Sequence, residues 1–112
     1  MARVALLVFG PLLIATGVLG FVLPANRAPT SGAPAYNVFH IAFGVLGTSL
    51  GLAGAHGPIV AFLIGFGVID LYQAAASRFR WTPVRHFRWT RVDDLLHVVV
   101  GIALVAVGIA GA

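Results

Sequence analysis

Four long apolar stretches, almost free of charge, leave this chain very few ways to fold. They run roughly from Val4 to Leu23, Tyr36 to Ala55, Pro58 to Ala76 and Leu95 to Gly111. At 1.5 Å per helical residue each is long enough to cross about 30 Å of hydrocarbon. A backbone in lipid must satisfy its own hydrogen bonds, so each stretch is predicted as a transmembrane helix. The 112 residues are 60% hydrophobic and 9% charged, with a mean hydropathy of +1.01, too few charges to cover a water-soluble surface. The predicted fold is an all-α, four-transmembrane-helix bundle forming one membrane domain over residues 1–112.

The two halves repeat. Asn37-Val38-Phe39-His40 and Gly44 realign roughly 57 residues later on Asp94-Leu95-Leu96-His97 and Gly101. The same shift carries Phe9-Gly10 onto Phe66-Gly67 and Gly51 onto Gly108. The repeat unit is therefore a pair of spans, about 1–55 and about 58–112, and two such hairpins run in the same direction about an axis along the membrane normal. An inverted-repeat transporter is disfavoured.

The breaks between spans differ in chemistry. Residues 24–34 are punctuated by Pro24, Pro29, Gly32 and Pro34, Gly54 to Pro58 is a tight turn, and Arg78 to Arg91 alternates arginine with aromatics. Arg3 before an apolar run, with small residues near Ala25, has the outline of a signal peptide, but the run is long for one and matches the third span in register. Arg27, Arg78, Arg80, Arg85, Arg88 and Arg91 all fall in the loops after spans one and three. The positive-inside rule then puts loops 24–35 and 77–92 in the cytoplasm and both termini outside, in a bacterial inner membrane.

In the second span Asn37, His40, Gly44, Gly47, Gly51 and Gly54 share one helix face, as do Asp94, His97, Gly101, Gly108 and Gly111 in the fourth. Gly47 and Gly51 form a GxxxG pair that lets backbones approach closely. The simplest arrangement brings spans two and four together along these faces, with His40 and His97 at equal depth about one turn inside the cytoplasmic boundary. Asn37 and Asp94 are then expected to cap their helices while the imidazoles hydrogen-bond neighbouring helices. The same stripe also suits axial ligation of a b-type haem or chlorophyll-like pigment by His40 and His97, with Gly44 and Gly101 making room. The default expectation is no cofactor. A proton-relay or metal role with Asp70 and Asp94 is a further alternative.

Asp70 lies within the third span, near Tyr72 and Gln73. An ionised carboxylate facing lipid there costs several kcal/mol, so Asp70 is expected to be protonated or paired and to face protein, hydrogen-bonding a histidine, Thr16 or backbone. Its repeat equivalent is Leu13, which removes support from a symmetric two-ion mechanism. Phe79-Arg80-Trp81-Thr82 and Phe87-Arg88-Trp89-Thr90 duplicate one tetrapeptide. Arg78, Arg80, Trp81, Arg85, Arg88, Trp89 and Arg91 are assigned to lipid headgroups or a docking partner at the cytoplasmic surface. The segment is too short for a nucleic-acid reading head. His56 and His86 are expected on the solvated surface.

Cysteine and lysine are absent. Disulfides, thiolate metal sites, Schiff bases and cysteine nucleophiles are thereby excluded, and no phosphate loop or HExxH motif is present. With Asn-x-x-His opening the second span, Asp-x-x-His opening the fourth and glycine four residues after each histidine, the chain resembles a family of small bacterial four-helix integral membrane proteins catalogued only as a domain of unknown function. That resemblance implies a location and an architecture without an activity. The expected role is a non-enzymatic structural or accessory module that self-associates or docks in a larger membrane complex through its glycine faces. The alternatives are a haem- or pigment-binding subunit using His40 and His97, and a proton or ion conductor using Asp70.

Overall fold

The computed structural model describes residues 1–24, 27, 28 and 30–112, and these form helices joined by turns, without strands among the described residues. Helices α1 (Ala2–Val22), α2 (Pro34–Ala53), α3 (His56–Phe79) and α5 (Arg91–Gly111) are long and apolar enough to cross a membrane. The single turn α4 (Val84–Phe87) lies in the basic segment between α3 and α5. Ala25, Asn26 and Pro29 of the first loop, and with them the suggested cleavage region at Ala25, lie outside the described residues.

Local chemistry sets the helix ends. Pro34 occupies the first turn of α2, where its missing N–H costs nothing, and Gly54 closes that helix in the left-handed conformation at φ 76°. The turn after it is shorter than expected, because α3 resumes at His56 and Pro58 is absorbed into its first turn. Helix α3 also outlasts the expected boundary, continuing through Arg78 to Phe79. Arg80 and Arg88, the equivalent arginines of the duplicated tetrapeptide, both take left-handed backbone angles, φ 59° and 50°, and end α3 and α4. Helix α5 starts at Arg91, earlier than hydropathy indicates, because Thr90 and Asp93 form a capping box.

Helix α1 packs along α2, and α3 along α5, at very short separation. A Cβ on Gly44 would lie 2.8 Å from the Gly10 carbonyl oxygen, and one on Gly101 2.9 Å from the Gly67 carbonyl oxygen. Gly51 faces Leu7 of α1, and Gly108 faces Ile64 of α3. The glycine faces of α2 and α5 are therefore turned toward α1 and α3, and the expected α2–α5 contact along them is corrected. Close backbone approach is most complete between adjacent antiparallel helices, and it consumes the small residues there. Gly47 alone of that α2 face looks across the bundle, toward Phe62 of α3 and Leu6 of α1.

Between the two helix pairs runs a column of aromatic rings. Phe62 and Phe66 stack at 5.4 Å and 4°, Phe9 meets Phe66 edge-on, and Phe39 and Phe43 of α2 complete the column. Leu6, Ile59 and Leu63 are fully buried beside it. At one end, Arg3 Nε donates to the Gly51 carbonyl (2.9 Å) and Ala2 meets Gly111, gathering both terminal segments with the Gly54 turn. At the other, Ser31 Oγ donates to the Phe87 carbonyl, joining the first loop to α4.

Candidate functional site

Just inside the loop end, the polar side chains of three helices converge. Tyr36, in the first turn of α2, is 1% exposed and stands against both imidazoles. Its ring centroid is 4.1 Å from that of His40, one helical turn along the same face, and 5.8 Å from that of His97 on α5. The phenol oxygen lies 2.5 Å from His97 Nε2, a buried hydrogen bond that joins the two helix pairs. His40 and His97 are 5% and 6% exposed, and Nδ1 of each has no protein partner.

Asp70 of α3 reaches the same region. It is 4% exposed, and Gln73 Nε2 lies 3.5 Å from its Oδ1, at the outer limit of a hydrogen bond. The amide oxygen of Gln73 accepts from the Trp89 indole N–H at 3.1 Å. Trp89, partly buried, therefore turns its indole N–H into the bundle and packs against Phe87, Tyr36 and His97, so it does not lie wholly at the expected lipid or partner surface. The physical reason is that Gln73, one turn past Asp70, is a buried acceptor that only a nearby donor satisfies. Trp81 is the half-exposed member of the pair, stacked on Tyr72 and Phe79, and Arg78, Arg80, Arg85, Arg88 and Arg91 lie on the same loop end.

The expected caps are also corrected. Helix α2 is preceded by Ala33 and α5 by Thr90, so Asn37 and Asp94 sit a full turn inside their helices. Asn37 is wholly buried, with its Nδ2 donating to the Gly32 carbonyl at 2.9 Å and its amide filling the space left by Gly20. Capping of α5 falls to Asp93, which accepts from the Thr90 N–H at 2.8 Å while its own N–H donates to Thr90 Oγ1. Asp93 Oδ1 is buried without a partner. Sequence reasoning passed over Tyr36 and Asp93. The signal for Tyr36 was its four-residue spacing from His40, and for Asp93 the Thr-x-x-Asp of a capping box.

Tyr36, His40, Asp70, Asp93 and His97 line a single cavity of about 300 Å³. Among the described residues no three histidine or carboxylate side chains converge closely enough to hold a metal ion. A macrocycle ligated by both histidines needs both imidazoles to present a free nitrogen to one metal centre across open space. The Tyr36 ring, 4.1 Å and 5.8 Å from the two imidazoles, takes up the space that a macrocycle between them would need, so the residues do not fit a bis-imidazole haem or pigment site. Comparison with protein-family models, curated proteins and solved structures finds no match to this chain.

Proposed function

We propose that the chain is a small, non-enzymatic, multi-pass membrane protein acting as a structural or accessory module, built from two parallel hairpin repeats and associating with itself or with a larger membrane complex. The repeat reading is supported by helix boundaries: α2 and α5 begin at Pro34 and Arg91, and α1 and α3 end at Val22 and Phe79, both at the roughly 57-residue offset of the sequence repeat. The matched contacts of Gly44 on Gly10 and Gly101 on Gly67 support it further. Membership of the small four-helix family carried by the Asn-x-x-His and Asp-x-x-His pattern belongs to the same reading, as does a bacterial inner-membrane location with the arginine-bearing loops in the cytoplasm.

One observation carries the associating role. A methyl group added to Gly57 or Gly65 would meet no other atom, although every other helical glycine among the described residues is engaged by a neighbour. With Ala61 between them, they form an exposed small-residue face along α3 at four-residue spacing. Small residues at that spacing favour helix contact in lipid, where hydrophobicity does not drive association. Only 44% of the α3 span and 22% of the α5 span is buried within the chain, so much helix surface is left for lipid or a partner. The glycines first assigned to this role, Gly44, Gly47, Gly51, Gly101 and Gly108, already pack inside the chain.

The test is Gly65→Leu, alone and with Ala61→Leu, compared by energy transfer between labelled chains in liposomes and by cross-linking in the native membrane. Loss of association without loss of thermal stability is expected, since this face of α3 meets nothing in the fold. A wild-type chain that stays monomeric at all densities and cross-links to no membrane protein refutes the proposal.

A further inference from the structure

The cavity beside Tyr36 is not sealed. Besides its polar residues it is lined by Leu12, Leu13 and Thr16 of α1 and by Leu96 of α5. Leu12 is 57% exposed and Leu96 43% exposed, so they mark a mouth on the outer side of the bundle between α1 and α5. From this mouth an apolar groove continues along α1. It shares Phe9 and Leu12 with the cavity and passes Val8 and Val4, with Val107 of α5 as its other wall. Leu12 to Val4 is about 12 Å at helical rise. Polar chamber, lateral mouth and apolar groove thus form one continuous recess.

Each part restricts what the recess accepts. The chamber, about 300 Å³, is at the low end of ligand pockets and suits a single ring-sized head. Its walls are flat, provided by Phe9, Tyr36 and the imidazoles. Nδ1 of His40 and Nδ1 of His97 are buried without protein partners, on side chains more than nine-tenths buried. Unmade hydrogen bonds of this kind are costly in a dry interior and mark a place for a polar ligand. Among the described residues no arginine lines the chamber, whereas two carboxyl groups do, which disfavours a phosphate or carboxylate head. One groove leads away, sized for one tail.

We propose that this recess binds an uncharged, single-tailed, ring-headed lipid of the quinone or quinol class, with its ring oxygens hydrogen-bonded by the imidazoles of His40 and His97 and its tail lying between α1 and α5. The ligand enters sideways from the bilayer. Binding is the whole of the proposal, and no electron transfer is attached to it.

Trp89 supplies the readout, because its ring centroid is 6.3 Å from that of His97 and quinones quench tryptophan emission. In a Trp81→Phe background, the full chain in nanodiscs is titrated with decylubiquinone. Saturable quenching is expected, weakened roughly tenfold or more by His40→Leu, the loss of one imidazole hydrogen bond. Leu96→Phe, which alters only the exposed mouth, is expected to weaken it similarly and keeps the test decisive should His40→Leu fail to fold. Decanoate and dioctanoylglycerol are expected not to displace the quinone. Quenching that grows linearly with quinone content, saturable quenching indifferent to Leu96→Phe, or equal displacement by either competitor overturns the proposal.

Discussion

Replacing Tyr36 by Phe removes one oxygen atom and leaves the shape of the cluster intact. The ring keeps its packing on His40 at 4.1 Å and on Phe87 at 5.0 Å, so the change isolates the hydrogen bond to His97. His97 Nδ1 already lacks a protein partner, and loss of the phenol leaves its Nε2 without one as well. In water-soluble proteins a buried group orphaned in this way costs about 1–3 kcal/mol. Helix-to-helix hydrogen bonds in membranes average only about 0.6 kcal/mol and reach about 1.7, because the unfolded chain in lipid finds other partners. The Tyr36–His97 bond belongs near the upper figure, since it is the described hydrogen bond between side chains of α2 and α5 and no second acceptor or donor stands behind it. A double-mutant cycle with Tyr36→Phe and His97→Leu, followed by denaturant titration in bicelles, is expected to give a coupling of about 1–1.7 kcal/mol. A coupling indistinguishable from zero, or a Tyr36→Phe chain as stable as wild type, refutes the assignment of this bond as the tie between the helix pairs.

Two further outcomes are expected. Gly44→Ile and Gly101→Ile each force a side chain into backbone atoms less than 3 Å from a Cβ, and are expected to cost more than about 2 kcal/mol or abolish folding, whereas Gly65→Ala leaves the melting temperature unchanged in dilute detergent. Because the chain has no native cysteine, single cysteines at Arg85 and Ala112 report sidedness directly: a membrane-impermeant maleimide applied to right-side-out vesicles is expected to label Ala112→Cys and spare Arg85→Cys, and the reverse pattern refutes the inferred orientation.

Hydropathy and length made the four spans legible, since a run without charge of that length has few alternatives in a bilayer. Boundaries were less legible where polar residues belong to helices, as at Ser77-Arg78 in α3 and Arg91 to Asp94 in α5. Both ends are set by local devices, a left-handed Arg80 and the Thr90–Asp93 box, which hydropathy does not register. Spacing identified the faces of His40 and His97 as protein-facing, but face alone does not name the neighbour. Glycine stripes meet whichever helix lies closest, and here that is the adjacent antiparallel one, so the partners of Gly44 and Gly101 were misassigned. Trp89 was misread for a related reason: a tryptophan in a basic loop matches the interfacial pattern, and only the position of Gln73 sends its indole inward.

The lining of the cavity joins the repeat to the chemistry. Three sets of lining residues are equivalent at the roughly 57-residue offset: Leu13 with Asp70, Tyr36 with Asp93, and His40 with His97. On the repeat reading the cavity therefore straddles the pseudo-axis, where two copies of the same hairpin leave matching surfaces facing each other. Only the histidines are the same on both sides. At the other two positions one half supplies an apolar or aromatic group and the other a carboxyl group, so on that reading a repeated scaffold encloses an asymmetric chamber. A metal bound equally by both halves would find the Tyr36 hydroxyl already on His97. A ring head entering from one flank between α1 and α5 meets an imidazole from each half and carboxyl groups from the second half alone.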